Sequence, residues 1–411
     1  MKKILALVIT LVIFSTLYVP CSAVGDTTES QWIPVSFSSS ISTDTQNKMM
    51  IKWDWNDLLT DAATSGENLD LAIAGLVMSN QAEFSKEYVE EVLNTIGFAD
   101  VSSECYSTDT NDTSYISNPA RTFAHREIDV NGEIKHIICA VIRGTRSVVD
   151  AFTDIKSVRD GFLDAGKNCL ESLKEYQRSL KYATKENTIL FITGHSLGAS
   201  AACVLSCLAD EVAYKSATHT YAFATPNYDT MKLESKDYQN IHMYTNLDDI
   251  VPKIPLYFKK VGVEKSYSYD TLSSEERAGF DRVYKYFRGK TYAEDGDINS
   301  TDLIGRLRDH MGFTYMSFIL SEKSDSEIDN YIASYESPID GDINQSLLGD
   351  VNGDGSVTVL DATTLQKYLA GLASFSDEQL ALADTNSDGE VTIADATVIQ
   401  KFLAGLITSL G

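Results

Sequence analysis

The residues best suited to covalent chemistry gather around Gly194-His195-Ser196-Leu197-Gly198. This G-x-S-x-G pattern stands between an apolar, β-branched run at 188–193 and an Ala-rich stretch at 197–212, so it is expected at a tight strand-to-helix turn. Gly194 and Gly198 remove side chains that would collide in such a turn, leaving the Ser196 hydroxyl exposed above the sheet as a nucleophile. A serine hydroxyl at neutral pH needs a base to take its proton and an acid to orient that base. Of the six histidines, His310 follows by elimination. His125 and His136 precede the serine, His195 is the variable residue of the turn, and His219 and His242 fall inside expected strands. The acid belongs at the end of a strand after the serine, where Asp248 and Asp249 are adjacent candidates. Asp249 is favoured because the Ile-Val-Pro run after it returns the chain to the core. The oxyanion formed during attack needs two preorganised donors. The backbone N–H of Leu197 is one; the amide and hydroxyl of Thr145, after the expected strand at 134–142, supply the other.

A second set of polar residues lies near the C-terminus, where 350–372 and 384–406 align without gaps at an offset of 34 residues. In each repeat, oxygen-bearing side chains occupy loop positions one, three, five and twelve. These are Asp350, Asn352, Asp354 and Asp361, then Asp384, Asn386, Asp388 and Asp395. Gly355 and Gly389 fall at position six, where the loop must turn sharply. Ser356 and Glu390 can offer carbonyls at position seven. So many carboxylates in one short loop repel one another unless a hard cation joins them. Two structural Ca²⁺ ions are therefore expected, and none for the serine chemistry. Position twelve is Asp rather than bidentate Glu, which disfavours a calcium-sensing switch.

Strand-like runs at 134–142, 188–193, 218–224 and 241–246 alternate with helical stretches, which argues for an α/β fold with a mostly parallel sheet. The stretch 69–98 has helical apolar spacing and is expected to pack on that sheet. Text rich in Ser, Asp and Glu at 321–348 reads as a linker, giving domains at 24–320 and 349–411. Lys2 and Lys3 precede an apolar run to Val19 and the small residues Cys21-Ser22-Ala23, the pattern of a secretory signal at 1–23. No membrane span is expected, because that run is short and interrupted by Thr10, Ser15 and Thr16. A formal net charge of −25 disfavours nucleic acid and anionic lipid as partners. Removal of the signal leaves five cysteines, Cys105, Cys139, Cys169, Cys203 and Cys207, an odd set without metal-like spacing, and no disulfide framework is inferred.

Four landmarks in order, V-I-R-G-T ending at Thr145, G-H-S-L-G-A, D-D-I-V-P, and D-H-x-x-x-x-Y ending at Tyr315, make 69–320 resemble the class 3 lipases of the α/β-hydrolase fold. The resemblance implies nucleophile, acid and base at Ser196, Asp249 and His310, an oxyanion donor at Thr145, an ester substrate and a lid at 147–154. Two departures bear on the pocket. Family members commonly carry a His just before the Gly-Phe of a segment that here reads Val158-Arg159-Asp160-Gly161-Phe162, and their F-G-x-P turn is here Phe223-Ala224-Thr225-Pro226.

The duplicated loop-helix units resemble a type I dockerin, a small all-α calcium-binding domain. This implies a cohesin module of a scaffoldin as partner and an extracellular, cellulosome-associated protein. Contacts are expected at Val359, Leu360, Gln366, Lys367, Ile393, Ala394, Gln400 and Lys401, with Leu365, Leu369, Ile399 and Leu403 as core. The docking module keeps open an esterase for feruloyl or acetyl groups on plant cell-wall polysaccharide. A non-catalytic scaffold subunit is disfavoured by the intact catalytic set.

Overall fold

The computed structural model of the protein describes residues 30–39, 46–106, 117–144, 155–228, 238–256, 259–295, 308–332, 348–351, 357, 359–371, 373, 375, 377–403, 407 and 410. The expected signal at 1–23 and the expected lid at 147–154 lie outside these residues.

The first part of the chain forms β1 (Gln31–Ser38), β2 (Gln46–Trp53), α1 (Leu69–Phe84), α2 (Lys86–Ile96), β3 (Ala99–Glu104), β4 (Arg121–Val130), β5 (Glu133–Ile142) and α3 (Ile155–Ser179). Then come β6 (Thr188–His195), α4 (Leu197–Leu208), β7 (Thr218–Phe223), β8 (Ile241–Asn246), β9 (Val263–Tyr267), α5 (Ser274–Arg288), α6 (Gly312–Ser321) and α7 (Asp325–Ile332). The C-terminal module contributes α8 (Val359–Leu369), α9 (Asp377–Ala383) and α10 (Ile393–Leu403).

Strands β3 to β9 make one sheet in sequence order, antiparallel from β3 to β5 and parallel from β5 to β9. Strand alternation sends successive side chains to opposite faces. Ile137, Cys139 and Val141 join the core with α1, whereas Ile138, Ala140 and Ile142 join the core with α3 and α4. Strands β6 and β7 are buried along their whole length, as expected of parallel strands covered on both faces.

The α1 side is thickened by the antiparallel ribbon β1–β2, whose Ile33, Val35, Phe37, Met49, Ile51 and Trp53 alternate inward. Helix α1 is therefore enclosed, with Leu71 to Ala82 all buried. Asn68 Oδ1 caps it by accepting from the amides of Asp70 and Leu71. The described cysteines are free thiols.

The expected linker at 321–348 begins too early. Ser321 closes α6, and α7 follows with Ile328 and Tyr331 buried in the main core. The Tyr331 hydroxyl donates to Asp70 Oδ1 at 2.5 Å, and Lys323 pairs with the same oxygen at 2.6 Å. The acidic composition concealed an apolar pair three residues apart, enough for one helical stripe on so short a helix. Ser324 Oγ donates to Glu327 at 2.6 Å and its amide to the same carboxylate at 3.1 Å, fixing the start of that helix.

The C-terminal module has its own core of Val351, Ala362, Leu365, Ala383, Ala396 and Ile399. Ala362 with Ala396, and Leu365 with Ile399, are repeat equivalents. Leu369 and Leu403, expected in this core, sit in the last turns of α8 and α10 and are exposed. Ala362 and Ala396, two turns earlier, bring the two helices together instead.

All three tryptophans precede α1, so their fluorescence follows the large domain alone. Ile328→Ala should lower its unfolding free energy by about 2–5 kcal/mol, measured by urea titration. A change of less than about 0.5 kcal/mol, typical of a surface substitution, would remove α7 from the core.

Candidate active site

The turn between β6 and α4 holds Ser196 at φ 57° and ψ −130°, a backbone conformation that side chains rarely adopt. Its amide donates to Phe223 O at 2.9 Å, and its carbonyl accepts from Ala199 N at 2.9 Å. A Cβ at Gly194 would lie 2.5 Å from Gly198 O, and one at Gly198 would lie 2.3 Å from Ile142 O. Both glycines are therefore required by contact between the turn and the neighbouring backbone. Ala224, the departure in the Phe-Ala-Thr-Pro turn, also has positive φ, 53°. The left-handed conformation is retained there despite the added methyl group.

Ser196 Oγ lies 2.9 Å from His310 Nε2, and His310 Nδ1 lies 2.8 Å from Asp249 Oδ2. All three residues are buried. Asp249 Oδ2 also accepts from the Tyr315 hydroxyl at 2.8 Å, and Oδ1 accepts from Val251 N at 2.9 Å. The same hydroxyl accepts from Asn246 N at 3.1 Å. Burial holds the Tyr315 phenol well above its ordinary pKa, so it remains a donor. Asp248 is exposed, and of the two adjacent carboxylates only Asp249 meets His310. Leu197 is the first residue of α4, where an amide has no acceptor within its own helix. Thr145 lies outside the described residues.

A second carboxylate–imidazole pair backs the first. His195 Nδ1 lies 2.7 Å from Glu83 Oε1, and His195 Nε2 lies 2.9 Å from the backbone carbonyl of His310. With Nε2 protonated, His195 donates to that carbonyl and fixes the segment carrying His310. Burial disfavours the charged ring, but the charge and hydrogen bond of Glu83, with Asp249 nearby, outweigh it and raise the His195 pKa. Neither Glu83 nor this role for His195 was expected from sequence. The available signals were a histidine at the end of a buried strand, which demands polar partners, and one carboxylate near the end of the apolar helix α1.

Among the other histidines, His219 is buried and bonded to Leu58 O at 3.1 Å, and burial lowers its pKa to about 4. His242 stacks on Tyr221.

In the second C-terminal loop, Asp384 accepts from the amides of Asp388 at 3.1 Å and Gly389 at 2.9 Å. Asn386 Oδ1 accepts from Asp388 N and Asp388 Oδ1 from Glu390 N, each at 2.9 Å. Asp395 is buried and accepts from Asn386 N and Thr392 N at 3.2 and 2.8 Å. Gly389 has φ +85° at the sharp turn. The donors offered are oxygens, which fit a hard cation such as Ca²⁺. In the first loop Asp350 and Asp361 are buried, whereas Asn352, Asp354 and Ser356 lie outside the described residues. Gln366, Lys367, Ile393, Ala394, Gln400 and Lys401 are exposed. Val359 and Leu360 open α8, but their side chains are outside the described set.

Residues 133–259 match the class 3 lipase family, and residues 348–404 match the type I dockerin domain. The chain carries a class 3 lipase domain and a type I dockerin domain. It is a carboxylic ester hydrolase with the α/β-hydrolase fold, and its dockerin is a calcium-binding module. The lipase match spans Ser196 and Asp249 and ends before His310 and Tyr315. Among solved structures, the Lip2 lipase of Yarrowia lipolytica is similar over 47% of this chain and 77% of its own, at 16% identity and a TM-score of 0.30. A structure of nonglycosylated Lip2 from that organism matches over 52% and 79%, at 16% identity and a TM-score of 0.28. No curated protein matches the chain in sequence.

The raised pKa of His195 gives the Glu83 pair a defined pH dependence. Its contribution is fully present below the unfolded imidazole pKa, about 6.5, and is lost as pH rises through the folded value. The stability difference between wild type and Glu83→Gln should therefore shrink as pH is raised from 6. Urea titrations across that range would show a constant or widening gap if the pair were not charged.

Proposed function

We propose that the protein is a secreted lipase-type acyl-ester hydrolase in which Ser196 is the nucleophile, His310 the general base and Asp249 the acid that orients it. The observation that carries this reading is the continuous buried hydrogen-bond chain from Ser196 Oγ through both His310 nitrogens to Asp249. Ser196 Oγ attacks the ester carbonyl carbon while its proton passes to His310 Nε2. The carbonyl oxygen becomes an oxyanion facing the Leu197 amide and Thr145. Collapse expels the alcohol, which takes the proton from His310. Water, deprotonated by the same ring, then cleaves the acyl-serine and releases the carboxylic acid. Tyr315 and Val251 N hold the Asp249 carboxylate, so the imidazole has one preferred orientation.

Exposed Leu247, Ile250 and Leu256 on the segment around Asp249 support an apolar acyl chain as part of the substrate. The dockerin, loaded with a Ca²⁺ ion in each loop, anchors the enzyme outside the cell to a cohesin module of a cellulosome-type scaffold. Gln366, Lys367, Gln400 and Lys401 lie among its contact residues. This docking also keeps a cell-wall esterase as the second reading. No helix among the described residues is long and apolar enough to cross a membrane.

Hydrolysis of p-nitrophenyl esters of graded chain length, run beside methyl ferulate, separates the two readings: preference for longer acyl chains supports the first, ferulate or acetate the second. On the preferred ester, Ser196→Ala should lower kcat by roughly 10⁴- to 10⁶-fold. Asp249→Asn should lower it by about 10⁴-fold, with Asp248→Asn close to wild type. The opposite ranking of the two aspartates would move the acid to Asp248.

Chelation of Ca²⁺ should abolish cohesin binding and unfold the C-terminal module while ester hydrolysis continues, because the two cores are built from separate residues. Calorimetry against a cohesin and a parallel activity assay check both halves. Undiminished cohesin binding in chelator would contradict the coupling of metal and fold.

A further inference from the structure

Away from the triad, His125 and Glu127 on β4 and His136 on β5 place metal-ligating atoms within 4.8 Å of one another. The antiparallel register sets Glu127 directly across from His136, and His125 shares its face two residues earlier. His125 Nε2 faces His136 Nδ1 at 3.0 Å, with ring centroids 5.2 Å apart and planes 14° from parallel, so the two rings lie edge to edge in nearly one plane. Glu127 Oε1 lies 3.8 Å from His136 Nδ1. Behind His125, its Nδ1 lies 3.4 Å from Asp100 Oδ2 on β3. Both imidazoles are buried, whereas the Glu127 and Asp100 side chains are 44% and 65% exposed, leaving an approach from solvent.

We propose that His125 Nε2, His136 Nδ1 and Glu127 bind a divalent transition metal of the zinc type, with Asp100 orienting His125 from behind. Two nitrogens and a carboxylate with one open position form a familiar zinc donor set. A carboxylate on the far nitrogen of a ligating histidine fixes its tautomer and increases its basicity. Tetrahedral bonds of about 2.0–2.1 Å place two ligating nitrogens about 3.3–3.4 Å apart, so the observed pair needs to open by a few tenths of an ångström and the two rings to turn until both nitrogens point at one atom. In the tautomer that lets His125 Nδ1 donate to Asp100, the facing nitrogens share the hydrogen of His136 Nδ1. With metal, that hydrogen moves to His136 Nε2, which has no hydrogen-bond partner among the described residues.

The site is remote from the triad. His136 pairs with Thr188 at the start of β6, whereas Ser196 follows the end of that strand, a separation of roughly 25 Å at about 3.3 Å per residue. A bound ion would join β3, β4 and β5, the antiparallel margin of the sheet.

The test titrates the untagged full chain with Co²⁺ and then Zn²⁺ in excess Ca²⁺, which keeps the dockerin loops filled. One Co²⁺ should bind with the intense visible absorption of a four-coordinate site, and Zn²⁺ should displace it and raise the melting temperature read by tryptophan fluorescence. His125→Gln should abolish the band. Asp100→Asn should weaken binding about 10- to 100-fold, and Asn suits the left-handed φ of 49° at that position. Glu127→Gln should weaken binding by at least tenfold. Both of these side chains are exposed, so their variants test binding without disturbing the core. Hydrolysis should persist in every variant. Failure of wild type to bind Co²⁺ in excess Ca²⁺, or a band that survives both His125→Gln and Glu127→Gln, overturns the proposal.

Discussion

The backbone at Ser196 is the constraint on which the active site depends. A residue held in that region costs about 1–3 kcal/mol, and the surrounding contacts leave it little choice. Gly194 and Gly198 touch across the turn, Gly198 rests on the end of β5, and the Ser196 amide is tied to β7. The turn therefore joins three strands and a helix. Were it to relax, the Leu197 amide and Ser196 Oγ would lose their directions together, and the hydroxyl would no longer point at His310.

His310 is held by two carboxylates, one buried and one half-buried, acting through different atoms. Asp249 meets the ring directly, whereas Glu83 acts through His195 on the His310 backbone carbonyl. Polar groups removed from water are costly unless bonded, so each pair needs support from elements distant in sequence. Tyr315 on α6 and Asn246 at the end of β8 serve Asp249; α1 brings Glu83. The enclosure of α1 between the sheet and the β1–β2 ribbon thereby bears on the proposed triad as well as on stability. It fixes the carboxylate that fixes the histidine segment.

The C-terminal module solves a different problem. Its core is small, with repeat-equivalent residues on α8 and α10 meeting, and its loop carboxylates are gathered by backbone amides. Such a core gains much from a cation that converts repulsion among carboxylates into attraction. The hydrolase domain draws on a sheet covered on both faces, so the two parts respond to different perturbations.

Sequence alone determined the features encoded by local spacing. G-x-S-x-G after an apolar run defines a strand-to-helix turn because glycine is required where backbones touch. The 34-residue repeat defines two oxygen-lined loops because a hard cation needs donors at fixed intervals. The strands β5 to β8 were legible because parallel strands buried on both faces read as apolar runs. Strands β1 and β2 pair across a loop and bury only one face, and α7 carries two inward residues in acidic text, so neither stood out. Sequence favoured Asp249 over its neighbour Asp248 only through the Ile-Val-Pro run that follows, whereas the tertiary structure brings Asp249 and not Asp248 to the imidazole. The tertiary structure also revealed Glu83 beside His195 and Asp100 beside His125. These pairs are separated by 112 and 25 residues, and no sequence spacing specifies them because the contacts arise only when a helix or neighbouring strand closes over the sheet.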